Sequence, residues 1–390
     1  MAHYLLKIKP IEHFFFGVEK VGNLGNRKPY YLETTEFPQQ TSILGLLRYI
    51  LLLKEGKLGK KDFATDSDVV DLIGKQSFTA FPPQELEYGK IKKLSPVFIL
   101  DNSNTAYFTR PQDWGYQFVK KDTGCKVCYG SDENELDFVP FLDGYKAKDG
   151  IDQYLISSKG DSIPLKFNEK TKEGVLLKKA KAGNQKNPER FLDTQSTKEE
   201  IENPKNEAYY KQEFLYMDNK YAYACVSQID DDDDDLKDFK TVLPFGGERS
   251  SFAISFELLK DATSVDQYYF SLQPQNDYLK IELLSDAYVE QGILSLAIFA
   301  VCDTIGFRNL TTKTTTKYYS RIDKDKDKLC ADLSKQLQLL KRGSVLFFDS
   351  VEQLEDAEKM LTKDKEHFTT IGYNKYRKFE LKTINNHGTI

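Results

Sequence analysis

The stretch FPQQTSILGLLRYILLL, from Phe37 to Leu53, joins a proline turn to a strongly apolar segment that carries one charged residue, Arg48. The apolar run predicts a helix, and a hydroxyl from Thr41 or Ser42 can accept a hydrogen bond from a free backbone N–H at its start. Because the segment is apolar on nearly all sides, we expect this helix to be buried between two layers of structure.

A second informative segment lies about two hundred residues further along the chain. It reads LPFGGERSS, from Leu243 to Ser251, and its glycine turn leads Glu248 and Arg249 into a strand. Alternating apolar residues from Phe252 to Leu258 predict that strand. Neither segment contains a catalytic set of residues. Both present backbone groups and a few polar side chains, which favours contact with an elongated, anionic partner.

The remaining periodicity indicates the α+β class. We expect a strand over Tyr4 to Ile8, a hairpin of Leu94 to Leu100 with Ala106 to Thr109, a flexible polar stretch over Thr311 to Tyr319 and a helix over Leu329 to Leu340. The order strand, helix, strand, strand, helix, strand recurs loosely in each half. This order fits two ferredoxin-like (RRM-like) domains with insertions, each an antiparallel sheet covered by helices on one face.

The predicted domains are an N-terminal ferredoxin-like domain at 1–156, a basic insertion at 157–206, and a C-terminal ferredoxin-like domain at 207–390. Within the insertion, residues 166–190 hold eight lysines and arginines against three acids and show no sustained apolar period. We expect a partly mobile surface segment, with an arm that touches RNA phosphates as the alternative. The run Asp230 to Asp235 predicts a solvated loop, because adjacent like charges repel; a metal site there would lack fixed geometry.

Composition limits the possible locations and partners. The chain has 390 residues and a net charge of −5, so it is not a basic nucleic-acid binder as a whole, although local patches remain possible. An odd number of cysteines indicates a reducing compartment. The pair Cys125 and Cys128 is interpreted as structural, with a metal site as the alternative. The apolar stretch from Ile293 to Cys302 is too short to span a membrane, and we expect a cytoplasmic protein without membrane contact.

Catalytic motifs are missing from the sequence. The four histidines have no metal-binding spacing, and no glycine group matches a nucleotide-binding loop. We therefore expect no cofactor, no metal and no enzymatic activity. The alternative rests on His13, near the end of the first strand, because an imidazole could take the proton of a ribose 2′-hydroxyl near neutral pH.

Taken together, several segments resemble a known family. They are FPQQTSILGLLR, the stretch SPVFI followed by YFTRPQDW, the turn PFGGERSS, ELLSDAYV, and the C-terminal KRGSVLFF and FTTIGYNKY. In this order they resemble the RAMP proteins of CRISPR effector complexes, most closely the family of the third subunit of the type III-B (Cmr) complex. Members of that family often carry a proline where this chain has Asp286.

The resemblance implies two ferredoxin-like RAMP domains and a non-catalytic subunit of an antiviral ribonucleoprotein. Such subunits bind the 5′ tag of the CRISPR RNA. They bridge the large polymerase/cyclase subunit to the backbone RAMP subunit. The open alternatives are a metal-independent CRISPR RNA-processing endoribonuclease that uses His13, the equivalent RAMP subunit of another type III subtype, and a protein-only scaffold.

The expected RNA contacts follow from the resemblance and from general chemistry. Arginine and lysine side chains and backbone N–H groups hold phosphates, and glycine lets a backbone approach closely. The predicted RNA-binding residues are Arg27, Lys28, Thr41, Ser42, Arg48, Gly246, Gly247, Arg249, Ser250, Tyr373, Asn374 and Lys375.

Overall fold

A computed structural model of the protein describes residues 1–17, 31–58, 67–82, 86–129, 132–146, 148, 151–184, 209–230, 236–260, 278–289, 292–315 and 328–380. Predictions that concern Arg27, Lys28 and residues 185–206 or 231–235 lie outside these residues. None of the helices in the described part of the chain is long and apolar enough to cross a bilayer.

The strands, in chain order, are β1 Ala2–Pro10, β2 Tyr31–Leu32, β3 Ile91–Leu94, β4 Phe98–Asp101, β5 Ala106–Thr109, β6 Gln117–Tyr129, β7 Asp132–Asp143, β8 Tyr154–Ser157, β9 Ser162–Pro164, β10 Leu176–Asn184, β11 Tyr209–Met217, β12 Tyr221–Ile229, β13 Lys240–Pro244, β14 Ser251–Leu259, β15 Leu279–Leu283, β16 Phe299–Val301, β17 Thr304–Phe307, β18 Leu310–Thr315, β19 Lys328–Leu333, β20 Leu337–Leu340, β21 Val345–Phe348 and β22 Tyr376–Phe379. The helices are α1 Gln40–Lys54, α2 Ser67–Ile73, α3 Ile293–Leu296, α4 Val351–Thr362 and α5 Glu366–Thr370.

The first strand is central to the larger sheet. In that sheet the order is β13-β14-β1-β12-β4-β5-β8-β9, and β3 also pairs with β12. Strand β1 pairs antiparallel with both β12 and β14, so that Leu6 lies opposite Cys225 on one side and Phe256 on the other. Alternate side chains of these strands point to one face, where they form the main core with α1.

Helix α1 is buried as its composition predicts. Its core-facing residues include Ile43, Leu47 and Ile50. The predicted start is wrong by two or three residues: the helix begins at Gln40, its N-cap is Gln39, and no side chain makes a capping hydrogen bond. The hydroxyls of Thr41 and Ser42 therefore do not cap the helix.

A second, four-stranded sheet has the order β16-β21-β15-β22, and all of its pairs are antiparallel. Helix α4 packs on one face through Leu354, Ala357 and Leu361. Its start is fixed by Ser350, whose hydroxyl accepts a hydrogen bond from the backbone N–H of Gln353 at 3.2 Å.

The two sheets share a buried junction. The side-chain amide of Gln40 donates to the carbonyls of Ser95 and Ile371 at 2.8 and 2.7 Å, and its oxygen accepts from the Val97 N–H at 3.2 Å. A Cβ at Gly372 would lie 1.9 Å from the Gln40 nitrogen, so only glycine fits beside this amide.

Arg342 forms the second connection at this junction. Its guanidinium is buried, pairs with Asp286 at 3.2 Å and donates to the Val97 carbonyl at 3.0 Å. The same group lies 4.3 Å from the centre of the Phe37 ring. Asp286 is thus the counter-ion of a buried arginine.

The larger sheet contains strands from both sides of residue 207, because β12 and β14 pair with β1. Two local sequence predictions need correction. The predicted helix over Leu329 to Leu340 is wrong, since β19 and β20 occupy this range. Residues 311–315 of the predicted flexible stretch belong to strand β18, and the rest of that stretch lies outside the described residues. In each case cross-strand partners override the local pattern.

Part of the basic insertion is also ordered. Strand β10 pairs along its whole length with β11, with Lys179 opposite Phe214 and Lys181 opposite Gln212. The lysines that alternate along β10 therefore belong to a hairpin, and the lack of a helical period in this segment reflects strand structure.

We predict that Gln40→Leu lowers the free energy of unfolding by about 2 to 4 kcal/mol, because the Val97 N–H and the Ile371 carbonyl lose this partner inside the core. Urea denaturation measures the change. The matched control is Ser42→Ala on the exposed side of the same helix, expected within about 0.5 kcal/mol of the unsubstituted protein. Equal midpoints for the two variants would contradict the role given to Gln40.

Candidate nucleic-acid interface

The two segments singled out in the sequence meet at one groove, which we call the α1 groove. It has a volume of about 610 Å³ and is lined by residues from α1, from the turn between β13 and β14, and from the connection after β17. Its polar and small lining residues include Ser42, Gly45, Tyr49, Gly246, Gly247, Arg308 and Asn309. Together with Phe16, Gly17 and Thr35, these residues unite parts of the chain that are far apart in sequence.

The wall formed by α1 exposes backbone. A Cβ built at Gly45 would meet no atom within 4 Å, so the helix surface is open at this point. Glycine inside a helix costs roughly 1 kcal/mol relative to alanine, and no close neighbour in the structure requires it here. One turn further along, the Tyr49 ring is 42% exposed on the same side of the helix. A flat ring beside bare backbone can accommodate a planar group.

The opposite wall is the turn that contains Glu248 and Arg249. Both residues have positive φ angles, 57° and 53°, and the Ser250 N–H reaches the Gly247 carbonyl at 3.5 Å. Two consecutive residues in this region define a type I′ hairpin turn. The Glu248 and Arg249 side chains are exposed, whereas Ser250 is buried and its hydroxyl donates to the Gly247 carbonyl at 3.4 Å.

The two glycines of this turn pack against the protein itself. The Gly247 N–H donates to the Phe15 carbonyl at 2.8 Å, and a Cβ at Gly246 would lie 2.8 Å from that same oxygen. The conformational freedom of these residues therefore serves close packing on Phe15. The side of each glycine where a Cβ would stand is occupied by protein, which differs from the open approach expected from the sequence.

Arg48 lies on another side of α1 from the groove. Its guanidinium donates to the Gln76 carbonyl at 2.8 Å and lies 5.3 Å from the centre of the Tyr88 ring. Desolvation in this half-buried position lowers the pKa of Arg48 to about 10. RNA contact by Arg48 stays a prediction. Thr41 is half-buried, with its hydroxyl 3.4 Å from the Gln39 side-chain oxygen.

The C-terminal loop is mostly core. Tyr373 is buried, and desolvation raises the pKa of its hydroxyl above the usual range. Asn374 is also buried, has a φ of 54°, and ties the loop to the Tyr288 and Leu361 carbonyls at 2.8 and 2.9 Å. Of the three predicted RNA contacts in this loop, only Lys375 retains partial exposure.

His13 sits beside the basic hairpin. The Lys181 ammonium lies 3.1 Å from the His13 Nε2, and the His13 ring packs edge-on against Phe214 at 4.8 Å. An ammonium can only donate, so it occupies the lone pair that a general base would need. Within the described part of the chain, no three His, Cys, Asp or Glu side chains are arranged to hold a metal ion.

Gly45, Tyr49 and Arg308 are groove residues that the sequence analysis missed. A glycine within an otherwise apolar helix was a usable signal for Gly45. Tyr49 follows Ser42 by seven residues, which places both on one helix face. No local sequence pattern identifies Arg308 as a groove residue, because only tertiary folding brings the connection after β17 close to α1. The Arg308 Nε donates to the Ser334 carbonyl at 3.0 Å.

Comparison with known proteins identifies the family. The family model described as CRISPR-associated protein (Cas_Cmr3) matches residues 6–377, while no curated protein sequence matches the chain. Among solved structures, the chain is similar to a subunit in "Cryo-EM structure of the Type III-B Cmr-beta bound to cognate target RNA", at 13% identity over 96% of both chains with a TM-score of 0.45. It is also similar to a chain of a Csm3-Csm4 subcomplex of the type III-A interference complex, at 12% identity, covering 90% of this chain and 94% of that one, with a TM-score of 0.34.

A match over nearly the whole length decides the assignment and confirms the resemblance drawn from the sequence motifs. The chain belongs to the Cas_Cmr3 family of CRISPR-associated proteins.

Proposed function

We propose that this subunit binds the 5′ tag of the CRISPR RNA in the α1 groove and bridges the large polymerase/cyclase subunit to the backbone RAMP subunit. The observation that carries the proposal is the meeting of the two motif segments at one groove with an open helix backbone at Gly45. The family assignment supplies the RNA context.

The groove offers the groups that a single-stranded RNA needs. Tyr49 gives an aromatic face on which a splayed base can stack, and the Ser42 hydroxyl lies on the same side of α1. Arg308 on the wall and Arg249 beside the rim supply positive charge for phosphates. The negative net charge of the chain is compatible with this local arrangement.

The proposal includes two ferredoxin-like domains. A ferredoxin-like domain has four strands, which lie side by side in the order fourth, first, third, second when they are numbered along the chain. The first sheet contains this order as β14-β1-β12-β4, and the second sheet contains it as β22-β15-β21-β16. In this interpretation the first domain extends to β14, and the hairpins β6–β7 and β10–β11 are insertions into it.

We further propose that the subunit is not a nuclease. The contact between Lys181 and the lone pair of His13 supports this view, because a lone pair that already accepts a hydrogen bond is not open to a ribose hydroxyl. Bond-breaking chemistry would then belong to neighbouring subunits.

Substitution of Tyr49 tests the stacking role. Tyr49→Leu should weaken binding of tag-bearing guide RNA about tenfold, because stacking of one base on an aromatic ring contributes about 1–3 kcal/mol. Tyr49→Phe keeps the ring and should bind within about twofold of the unsubstituted protein. Fluorescence anisotropy with a labelled tag oligonucleotide measures both. Equal affinity of the Leu and Phe variants would remove Tyr49 from the proposed site.

Arg249 tests the electrostatic role. Arg249→Ala should weaken tag binding about three- to tenfold and reduce the slope of log affinity against log salt by about 0.7, the value for one phosphate contact with a single strand. Lys363→Ala, at an exposed position just after α4, is the matched control and should leave both quantities unchanged. An unchanged slope for Arg249→Ala would show that Arg249 does not contact the phosphates.

A cleavage assay tests the non-catalytic assignment. Purified protein incubated with repeat RNA in EDTA should leave the RNA intact over hours, because the Lys181 ammonium already occupies the lone pair of the His13 ring. The readout is a denaturing gel, with RNA in the same buffer without protein as the control. Cleavage that disappears in His13→Ala would favour the processing-endoribonuclease alternative.

A further inference from the structure

The face of the large sheet opposite α1 is only partly covered. Near the second sheet, Leu5, Phe98 and Val226 on this face are buried together, with Leu284 packed against them. Towards the edge strand β13 the same face is open and forms a trough of about 610 Å³. We call it the lysine trough.

The pairing register of β1, β13 and β14 determines which residues form the floor and walls of the trough. Ser255 lies opposite both Lys7 and Lys240, and Ala253 lies opposite both Lys9 and Val242. Directly opposed residues of antiparallel strands share a face, so these side chains form two rows. The small residues Ala222, Ala253 and Ser255 form the floor of the trough. The turn at Asn102 to Asn104 forms its far wall.

An apolar group is exposed at the edge of this trough. Val242 is 59% exposed, although it belongs to a regular strand and its neighbour Ala253 is half-buried. An apolar part of a sheet face is normally buried against another element, and a helix is one common cover. The small floor residues leave room for such a layer to approach closely.

The charged side chains that line the trough are mainly positive. The lining contains Lys7, Lys9 and Lys240 but a single carboxylate, Asp101. Asp101 Oδ1 is engaged by the N–H groups of Ser103 and Thr105. Lys7 pairs with Glu257 at 2.8 Å.

The two other lysines carry uncompensated charge. Lys9 donates to the Asn219 carbonyl at 2.8 Å. Among the described residues, neither Lys9 nor Lys240 has a carboxylate within 4.0 Å. Acidic side chains on a bound partner would complete both pairs.

From these features we infer that the lysine trough is the docking site for an acidic amphipathic helix of a neighbouring protein subunit in the effector complex. The apolar side of the helix would cover Val242 and Ala253, and its carboxylates would reach Lys9 and Lys240. A protein is favoured over RNA because none of the described lining residues is aromatic or an arginine.

The trough and the α1 groove lie on opposite faces of one sheet. In β14, Phe252, Ile254 and Phe256 point into the core with α1, whereas Ala253 and Ser255 point towards the trough. The inference rests on family membership and is separate from tag binding, so either one can fail without the other.

The test is reconstitution of the complete effector complex from purified subunits and guide RNA, with the full chain carrying Val242→Glu or Lys240→Glu. Each variant should enter the complex at least tenfold less efficiently than the unsubstituted chain, measured by native mass spectrometry against added concentration. The matched controls are Val351→Glu and Lys93→Glu, which change similarly exposed residues elsewhere and should assemble normally.

Two further measurements complete the experiment. The thermal midpoint and tag affinity of isolated Val242→Glu should equal those of the unsubstituted chain, which separates lost docking from lost folding or RNA binding. A photo-cross-linking residue at position 242 should attach to a peptide from an acidic helical segment of a neighbouring subunit. Normal assembly of Val242→Glu, or a cross-link to guide RNA, would overturn the inference.

Discussion

The buried amide of Gln40 is the contact on which the rest of the structure depends. One side chain joins the start of α1 to the Ser95–Val97 segment of the first sheet and to the Ile371 carbonyl near the second. A buried carboxamide whose donors and acceptor are all engaged fixes both distance and direction. It therefore sets where α1 begins, and with it the positions of Ser42, Gly45 and Tyr49 along the groove.

This junction also explains two features that look unrelated in sequence. Gly372 is required because the Gln40 amide occupies the space of its Cβ, and Asp286 is required as the partner of buried Arg342. Losing one member of a buried ion pair is costly because it leaves an uncompensated charge. The motifs around KRGS and FTTIGYNKY thus hold the two halves together, and most of their polar groups face the protein interior.

The central sheet separates two kinds of surface. On the α1 side, glycine backbone, an exposed tyrosine and arginines at the wall and rim create a groove suited to a flexible anionic strand. On the other side, small residues, Val242 and lysines create a trough suited to a packed helix. A strand sends alternate side chains to opposite faces, so β14 packs against α1 in the core with one set of side chains and lines the trough with the other. The proposed RNA site and the inferred protein site therefore lie on separate faces of the sheet.

The sequence by itself determined the family, the mixture of strands with a few helices, and the buried apolar helix that follows Pro38. It determined these because hydrophobic periodicity and glycine turns are local properties. Tertiary structure alone decided that Arg48 and Asn374 contact the protein, that Leu329 to Leu340 forms strands, and that Arg308 completes the groove wall. A polar side chain looks the same in sequence whether it faces solvent or a buried carbonyl, and only long-range packing makes that choice.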